Sequence, residues 1–250
     1  SEVRMCLDEK QNLQATTIES ETPSHGLIED CMLLANKAAA NKLGFGIFRT
    51  HESPSLERME ALLNDLALIG IRVKLNADLP RMIQDIQKQA DDLNLRDEVD
   101  KLIIKSQKKA IYEPENKGHF GLGFSSYSHF TSPIRRYSDL VLHRILKTKQ
   151  TSKNIEDICE HISLNERKID QLVWDFEDRK YARWALEHLE EEIKVKIVDT
   201  DKARAVCYEK MFGMKVVLEN FKGQKLFTKL RVKIKSADVI TKVIVATIKY

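Results

Sequence analysis

The segment SYSHFTSPIRRYSDLVLHR, which runs from Ser126 to Arg144, brings together side chains that could bind an anion. Ser132 and Pro133 have the form of a helix start, because serine is a preferred N-cap and proline is preferred at the first helical position. Arg135 and Arg136 would then lie in the first turn, where the helix dipole disfavours each cation by about 0.3–1 kcal/mol. A phosphate bound there would reverse that cost, since backbone amides, the dipole and the guanidinium groups would all attract it.

Other polar and aromatic residues of the same segment favour RNA as the source of that phosphate. His129, Thr131 and Ser132 could donate further hydrogen bonds to it. Tyr127 and Phe130 could offer ring faces on which bases stack, which is how proteins commonly hold single-stranded RNA. The segment therefore predicts a site that binds the phosphates and bases of RNA.

A structural explanation of the arginines stands beside this one. Asp139 follows Arg135 by four residues, and such a pair on a helix contributes about 0.2–0.5 kcal/mol. It would offset part of the cost of Arg135 and leave Arg136 unexplained. Asp139 also precedes His143 by four residues, so the aspartate could simply orient that histidine.

The elements that must position this segment are indicated by hydrophobic periodicity and by the Gly, Pro and Ser residues that interrupt it. A two-stranded hairpin is expected over residues 3–20, and a short buried strand at FGIFRTH. Helices are expected at 26–43, 53–68, 79–90, 97–109, 133–147 and 155–193. The first helix has an apolar stripe at amphipathic spacing, formed by Leu27, Ile28, Cys31, Leu34, Ala35 and Ala38.

The last part of the chain differs in charge and periodicity. Residues 193–250 carry 14 Lys or Arg against 5 Asp or Glu, whereas the rest carry 27 against 33. Lysine alternates there with β-branched residues in five short runs, which is typical of half-buried strands and fits a small barrel of OB type. Such a module favours a polyanion, and Lys229, Arg231 and Lys233 are expected to bind the RNA backbone. A lysine-rich solvated surface is the alternative.

The cysteines and the apolar runs exclude several classes of protein. Four cysteines are scattered without a CxxC pair, so the sequence predicts free thiols and no structural zinc site. Free thiols without a signal peptide indicate the reducing cytoplasm. No apolar run approaches the ~20 residues of a membrane span, so no membrane is expected as a partner.

Several collinear blocks resemble the ribonuclease II and ribonuclease R family of RNB-type exoribonucleases. GHFGLGFSSYSHFTSPIRRYSDLVLHR is similar to the signature of that family. Three upstream blocks also follow the order of the family: LIEDCMLLANKAAA, LGFGIFRTHESPSLERMEALL and SQKKAIYEPENKGHFGLGF. ICEHISLNERKID resembles its helical segment before a C-terminal OB-type domain. The resemblance implies an α+β fold, with the C-terminal part of an RNB catalytic domain at 1–190 and a basic OB-like RNA-binding domain at 191–250, where the resemblance is weak.

The resemblance also implies processive hydrolysis of single-stranded RNA from its 3′ end to 5′-mononucleotides. In that family Mg²⁺ is held by clustered aspartates and activates water. The arginine of the Pro-Ile-Arg motif, Arg135 here, reaches the scissile phosphate as a catalytic residue. Glu29 and Asp30 match an acidic pair near the terminal nucleotide, although acids are also favourable in the first turn of a helix. Three further residues in matching blocks are expected to be structural supports: Asn36, His51 and Glu52.

The sequence departs from the family in its acidic residues. Neither Asp91-Asp92 nor Asp199/Asp201 has the surroundings of the metal-binding cluster. The chain, which opens without an initiator methionine, is therefore expected to be the C-terminal portion of a longer nuclease. Its Mg²⁺ ligands would lie in the N-terminal portion of the same protein. That portion is the protein partner that the resemblance implies. An RNA-binding protein or pseudonuclease without those ligands is the alternative.

A second departure lies on the helix after NERKID. Val173 stands nearest to the position at which the family places an acid. Either that role is dispensable, or Asp175 or Glu177 takes it.

Overall fold

The computed structural model of this protein describes residues 2–20 and 22–249, and both helices and strands contribute to it. The helices are α1 (Pro23–Ala40), α2 (Leu56–Leu68), α3 (Leu79–Asp92), α4 (Arg96–Ser106), α5 (Tyr137–Thr148) and α6 (Ile155–Glu187), with a 3₁₀ turn at Phe120–Leu122. The strands are β1 (Glu2–Leu7), β2 (Leu13–Glu19), β3 (Phe48–Thr50), β4 (Ile111–Glu113), β5 (Glu192–Asp199), β6 (Arg204–Cys207), β7 (Lys215–Leu218), β8 (Lys229–Asp238) and β9 (Val243–Ile248). The expected α+β class is confirmed.

The chain divides into two compact units, a barrel unit and a helical unit. The barrel unit comprises Ser1–Glu21, Asp65–Ile71 and Asp170–Tyr250, and the helical unit comprises Thr22–Asn64 and Arg72–Ile169. The domain boundary between residues 190 and 191 stays a prediction. The boundaries of the compact units differ from this predicted boundary, because Leu13 of β2 and Trp184 of α6 belong to the hydrophobic core of the barrel.

The core of the helical unit is formed by α5 and its neighbours. Val141, Leu142 and Ile145 point inward from α5, and the spacing of these positions is that of one helix face. They pack with Ile47 and with Tyr112 of β4. β3 pairs antiparallel with β4, so this short ribbon and α5 together support the segment that carries the arginines.

Helix α1 begins earlier than the sequence predicts and buries a different face. Thr22 is its N-cap and accepts a hydrogen bond from the His25 amide at 3.4 Å, so the helix starts at Pro23 and not at residue 26. The buried residues of α1 lie at its C-terminal end. The apolar stripe is exposed instead: Leu27, Ile28 and Leu34 are 64%, 60% and 65% accessible.

The barrel unit contains a closed five-stranded barrel in the order β5-β6-β7-β9-β8, as the alternating lysine pattern predicts. β7 and β9 pair in parallel, and the other neighbouring strands are antiparallel. Residues such as Val195, Ile197, Val232 and Ile234 point inward and are completely buried. The intervening lysines face outward, so the barrel has an apolar core and a basic outer surface.

The largest differences from the expected helix boundaries lie at the start of α5 and the end of α6. Helix α5 begins at Tyr137 and not near residue 133. Helix α6 ends at Glu187, because Ile193 enters the barrel core as part of β5. Among the described residues, no helix combines the length and the apolar composition needed to cross a membrane.

Candidate functional site

The segment before the two arginines is held by Asn36 of α1. Asn36 is 3% exposed, and its Oδ1 accepts hydrogen bonds from the amides of Phe130 at 2.9 Å and Thr131 at 3.2 Å. Its Nδ2 donates to the Tyr127 hydroxyl at 2.9 Å. One buried side chain thus satisfies two loop amides and a phenol, which fixes the backbone on the N-terminal side of the arginines.

Asp139 of α5 holds the other side of the same segment. Its carboxylate is completely buried and accepts hydrogen bonds from the Ser132 amide at 2.7 Å, from Arg136 Nη2 at 2.9 Å and from Ser138 Oγ at 3.0 Å. A buried carboxylate requires such partners to offset its lost hydration. The aspartate therefore pairs with Arg136, and the expected pair between Asp139 and Arg135 is wrong.

The sequence-based helix start at Ser132 is also wrong, because the segment forms an isolated turn. The amides of Arg135 and Arg136 both donate to the Ser132 carbonyl, at 3.2 and 3.0 Å. Arg136 then has φ −120° and ψ 117°, which is extended, and becomes the N-cap of α5 without a side-chain cap. The turn does not continue into the helix because Asp139 takes the Ser132 amide and the Arg136 guanidinium as its own partners.

Arg135 is the unpartnered cation of this turn. Its side chain is exposed and forms no hydrogen bond or ion pair with any described residue. Within the same part of the chain, two buried polar atoms beside it also lack a partner, Arg136 Nε and Thr131 Oγ1. A buried polar group without a partner costs about 1–3 kcal/mol. The turn thus presents a free guanidinium group, and an oxyanion is the kind of ligand that such a group would bind.

A chain of hydroxyl groups behind the turn links Asp139 to His129. Ser138 Oγ lies 3.0 Å from Asp139 Oδ2 and 3.1 Å from the Tyr112 hydroxyl, which lies 2.7 Å from His129 Nδ1. Each hydroxyl carries one proton. Ser138 Oγ is the donor in both of its contacts, so its single proton is shared between the Asp139 carboxylate and the Tyr112 hydroxyl.

Two histidines of the site are held in the neutral form. Burial, followed by the charges of Arg136 and Arg49, lowers the pKa of His129 from 6.5 to about 3. Burial, followed by His51 and Arg49, lowers the pKa of His119 to about 4. At neutral pH neither His119 nor His129 therefore adds positive charge to the site.

The rings of Tyr127 and Phe130 pack against histidines, and the burial of Tyr127 is contrary to the expectation that a base stacks on it. Tyr127 is 5% exposed, and its ring lies edge-on to His119 and His129 at centroid distances of 5.3 and 5.6 Å. Phe130 stacks on His143 at 4.2 Å, and His143 Nε2 donates to the Phe130 carbonyl at 2.9 Å. These rings are packed within the site. Phe130, and not Asp139, orients His143.

Glu29 and Asp30 lie on the exposed side of α1. Because the helix begins at Pro23, they fall in its second turn, and no acid occupies the first. The explanation that they are favourable first-turn acids is therefore wrong. Their proximity to a terminal nucleotide stays a prediction.

His51 and Glu52 belong to the scaffold around the site. His51 is buried, and its Nδ1 accepts a hydrogen bond from the Gly121 amide at 3.0 Å while Nε2 donates to the Lys108 carbonyl at 2.7 Å. A Cβ at Gly121 would lie 2.8 Å from His51 Nδ1, so glycine is required for this approach. Glu52 is exposed and pairs with Lys108 Nζ at 2.5 Å, which holds the pKa of its carboxyl below the usual value.

The position at which the resemblance leads us to expect an acid is exposed on α6. Val173 is 49% accessible. Asp175 accepts hydrogen bonds from Lys242 Nζ at 2.6 Å and Gln171 Nε2 at 3.0 Å, and these bonds lower the pKa of its carboxyl. Whether Asp175 or Glu177 replaces the acid stays a prediction.

Lys229, Arg231 and Lys233 lie on the outer face of β8, between inward residues that fill the barrel core. Lys233 pairs with Glu190 at 2.5 Å, which raises the pKa of the lysine. All three side chains are exposed, as a phosphate-binding role requires, and that role stays a prediction.

The Mg²⁺ that the resemblance implies has no site in the described part of the chain. Neither residues 2–20 nor residues 22–249 contain a group of three or more His, Cys, Asp or Glu side chains arranged to hold a metal ion. Such hard cations prefer several oxygen ligands. The residues present do not fit the ion, so no catalytic step is derived through it.

Sequence analysis missed the residues that join distant parts of the site. Tyr112 is the centre of the hydroxyl chain, and the Arg49 guanidinium lies 4.7 Å from its ring centroid. Arg49 also forms two hydrogen bonds with Glu166, at 2.7 and 3.1 Å. These partners are far apart in the chain, so no local spacing indicates them. Only Ser138, adjacent to Asp139, could have been suspected from its position.

The chain is similar over most of its length to a known group of proteins. The RNB domain matches residues 1–151. Ribonuclease R of Helicobacter pylori (strain ATCC 700392 / 26695) is 38% identical over 253 residues, which cover 96% of this chain and 39% of that protein. The chain therefore spans about two fifths of the length of that curated relative.

Solved structures agree with this match. The apo form of Mycoplasma genitalium RNase R has a TM-score of 0.88 at 20% identity, covering 99% of this chain and 45% of that one. The same protein in complex with ribose methylated single-stranded RNA has a TM-score of 0.87 at 20% identity, with the same coverage. At this level of identity the structures support the fold, and the match to residues 1–151 supports the family. The chain belongs to the RNB domain family, which it shares with ribonuclease R.

Proposed function

We propose that this chain is the RNA-binding and phosphate-stabilising part of a Mg²⁺-dependent exoribonuclease. The enzyme would degrade single-stranded RNA processively from the 3′ end and release 5′-mononucleotides. The observation that carries the proposal is Arg135, an exposed guanidinium group without a partner among the described residues, on a turn whose two sides are fixed by Asn36 and Asp139.

The chemistry proposed for Arg135 is stabilisation of negative charge on the scissile phosphate. A planar guanidinium group can donate two parallel hydrogen bonds to phosphoryl oxygens, and it does so best when its backbone is already in place. Arg136 is held by Asp139, so its role is to keep the turn in shape. The neutral His129 adds no charge that would compete with Arg135 for the phosphate.

Mg²⁺ would supply an activated water molecule, with ligands outside the described residues of this chain. The N-terminal part of an RNB protein is therefore the proposed protein partner of this chain. We also place the protein in the cytoplasm, because Cys6, Cys31, Cys159 and Cys207 are all free thiols.

The test uses a chimera in which this chain replaces the matching segment of Helicobacter pylori ribonuclease R. With Mg²⁺, the chimera is expected to shorten 5′-labelled single-stranded RNA progressively and to release mononucleotides. Arg135→Ala should slow turnover by about 10²–10³-fold, the range for one lost electrostatic stabiliser of the transition state, and should change RNA affinity much less. Arg144→Ala, an exposed arginine on the adjacent helix α5, is the matched control.

Three outcomes would contradict parts of this proposal. Equal losses of rate and affinity in Arg135→Ala would assign Arg135 to binding alone. A folded chimera that binds RNA without cleaving it would favour the pseudonuclease alternative. Substantial Mg²⁺-dependent cleavage by this chain alone would show that its own residues hold the ion.

The barrel can be tested separately through the salt dependence of RNA binding. Changing Lys229, Arg231 and Lys233 to Ala together should weaken affinity. If each contacts one phosphate, the slope of log K against log salt should also become shallower by about 2, since single strands lose ≈0.7 per contact. Lys215→Ala on β7, whose lysine is paired with Asp178, is the control. An unchanged slope would make the basic face a solvated surface only.

A further inference from the structure

The two oxygens of the Asp139 carboxylate have separate partners. Oδ1 accepts hydrogen bonds from the Ser132 amide at 2.7 Å and from Arg136 Nη2 at 2.9 Å, whereas Oδ2 accepts the one from Ser138 Oγ at 3.0 Å. A carboxylate is planar, and its terminal torsion has no sharply preferred angle. The hydrogen bond at Oδ2 therefore decides in which direction Oδ1 points, and with it the shape of the turn that carries Arg135.

The Ser138 hydroxyl is held in place by Tyr112. Ser138 Oγ also donates to the Tyr112 hydroxyl, at 3.1 Å, and Ser138 is only 1% exposed. The Tyr112 hydroxyl in turn lies 2.7 Å from His129 Nδ1. Because a serine side chain adopts one of three staggered rotamers, the position of the Tyr112 hydroxyl favours the rotamer in which Ser138 also reaches the Asp139 carboxylate.

Tyr112 itself is fixed at its backbone and at its ring. Its amide donates to Ser163 Oγ at 2.9 Å, and that hydroxyl donates to the Cys159 carbonyl on the same helix, α6, at 2.8 Å. The Arg49 guanidinium lies 4.7 Å from the centroid of the Tyr112 ring and forms two hydrogen bonds with Glu166, also on α6. Tyr112 thus connects the position of a long helix to the carboxylate behind the turn.

We infer that Tyr112 is a positioning residue for Arg135. It acts through Ser138 and Asp139, whose hydrogen bonds set the shape of the turn. Asp139 holds the Ser132 amide, and the Arg135 amide donates to the Ser132 carbonyl at 3.2 Å, so a shift of the carboxylate moves the backbone that aims the guanidinium group. The inference rests on the proposed function and concerns a residue outside the segment that carries the arginines.

The experiment measures Tyr112→Phe, which removes the hydroxyl and keeps the ring, in the chimera described above. Turnover of single-stranded RNA should fall by about 10- to 100-fold, the upper end being the cost of a misplacement of about 1 Å, whereas RNA affinity should stay nearly unchanged. Tyr181→Phe is the matched control, because Tyr181 is, like Tyr112, 5% exposed, and its hydroxyl donates to the Phe212 carbonyl in the barrel unit. Both variants should lower the urea midpoint, and only Tyr112→Phe should slow turnover.

Two further measurements test the route from Tyr112 to Arg135. In a chimera that already carries Arg135→Ala there is no guanidinium group to position, so Tyr112→Phe should cause no further loss of turnover. Hydrogen exchange of the full chain, followed by mass spectrometry, tests the same link without catalysis. The peptide over residues 130–137 should exchange faster in Tyr112→Phe and not in Tyr181→Phe, because the Ser132 amide would lose protection.

Four results would overturn the inference. If Tyr112→Phe lowers the urea midpoint but changes neither turnover nor the exchange of residues 130–137, the hydroxyl serves the core alone and the proposed function stands. If it slows the Arg135→Ala chimera as much as the parent chimera, it does not act through Arg135. Equal losses of rate and affinity would assign Tyr112 to RNA binding. If the unchanged chimera cleaves no RNA, the proposed function fails and the inference fails with it. Ser138→Ala, which breaks the same link one step nearer the turn, replaces Tyr112→Phe if that variant does not fold.

Discussion

The neutral histidines of the site should make the helical unit sensitive to mild acid. His119 and His129 have folded-state pKa values of about 4 and about 3, against 6.5 for an unperturbed histidine. Below pH 6.5 the unfolded chain gains protons that the folded chain does not bind, so stability present above that pH is lost as pH falls toward pH 4 and 3. Between pH 7.5 and 5.0 each histidine should cost about 2 kcal/mol of unfolding free energy, from 1.36 kcal/mol per pKa unit.

The measurement is urea unfolding at several pH values, followed by circular dichroism at 222 nm. Tryptophan fluorescence is recorded in parallel to follow unfolding of the barrel unit, because both tryptophans lie on the part of α6 that belongs to that unit. His129→Asn keeps a donor for Tyr112 and removes the titration, so it should abolish about half of the acid loss. His161→Asn controls for removal of an exposed imidazole. The assignment of the acid loss to His119 and His129 would be refuted by either of two results. One is a wild-type unfolding free energy that does not change from pH 7.5 to 5.0, and the other is an unchanged acid loss in His129→Asn.

Two further predictions concern buried groups of the helical unit. Asp139→Ala should lower the unfolding free energy by about 3–5 kcal/mol in urea melts, because Arg136 would stay largely buried without its partner, and a loss below 1 kcal/mol would show that the pair is easily replaced. Cys159 should react with a thiol reagent much more slowly than the exposed Cys31, since burial raises the pKa of its thiol to about 12, and equal modification rates by mass spectrometry would contradict that burial.

Periodicity predicted the barrel well because its signal is local. Each strand alternates inward β-branched residues with outward lysines, and closure of the sheet uses the same alternation on every strand. The end of α6 and the start of β5 are harder to predict from the sequence, since Ile193 continues an apolar pattern that suits either a helix or a strand. Its burial in the barrel core decided between them.

The geometry of the candidate site could not be predicted from the sequence. Serine followed by proline is a strong local signal for a helix start, but Asn36 and Asp139 reach the same backbone from positions that no local pattern reveals. Likewise the sequence predicts that Tyr127 offers a ring face to a base, whereas the residue is buried and bonded to Asn36 of α1. Long-range hydrogen bonds thus overrode local preference at Ser132 and at Tyr127.

The turn at Ser132–Arg136 depends on Asp139 for its shape. Released from Asp139, Ser132 and Pro133 would be free to start α5 about one turn earlier, which is what their sequence favours. Arg135 would then join a continuous helix and lose its present direction. The direction of the Arg135 guanidinium group therefore depends on the hydrogen bonds that Asp139 accepts from Ser132 and Arg136.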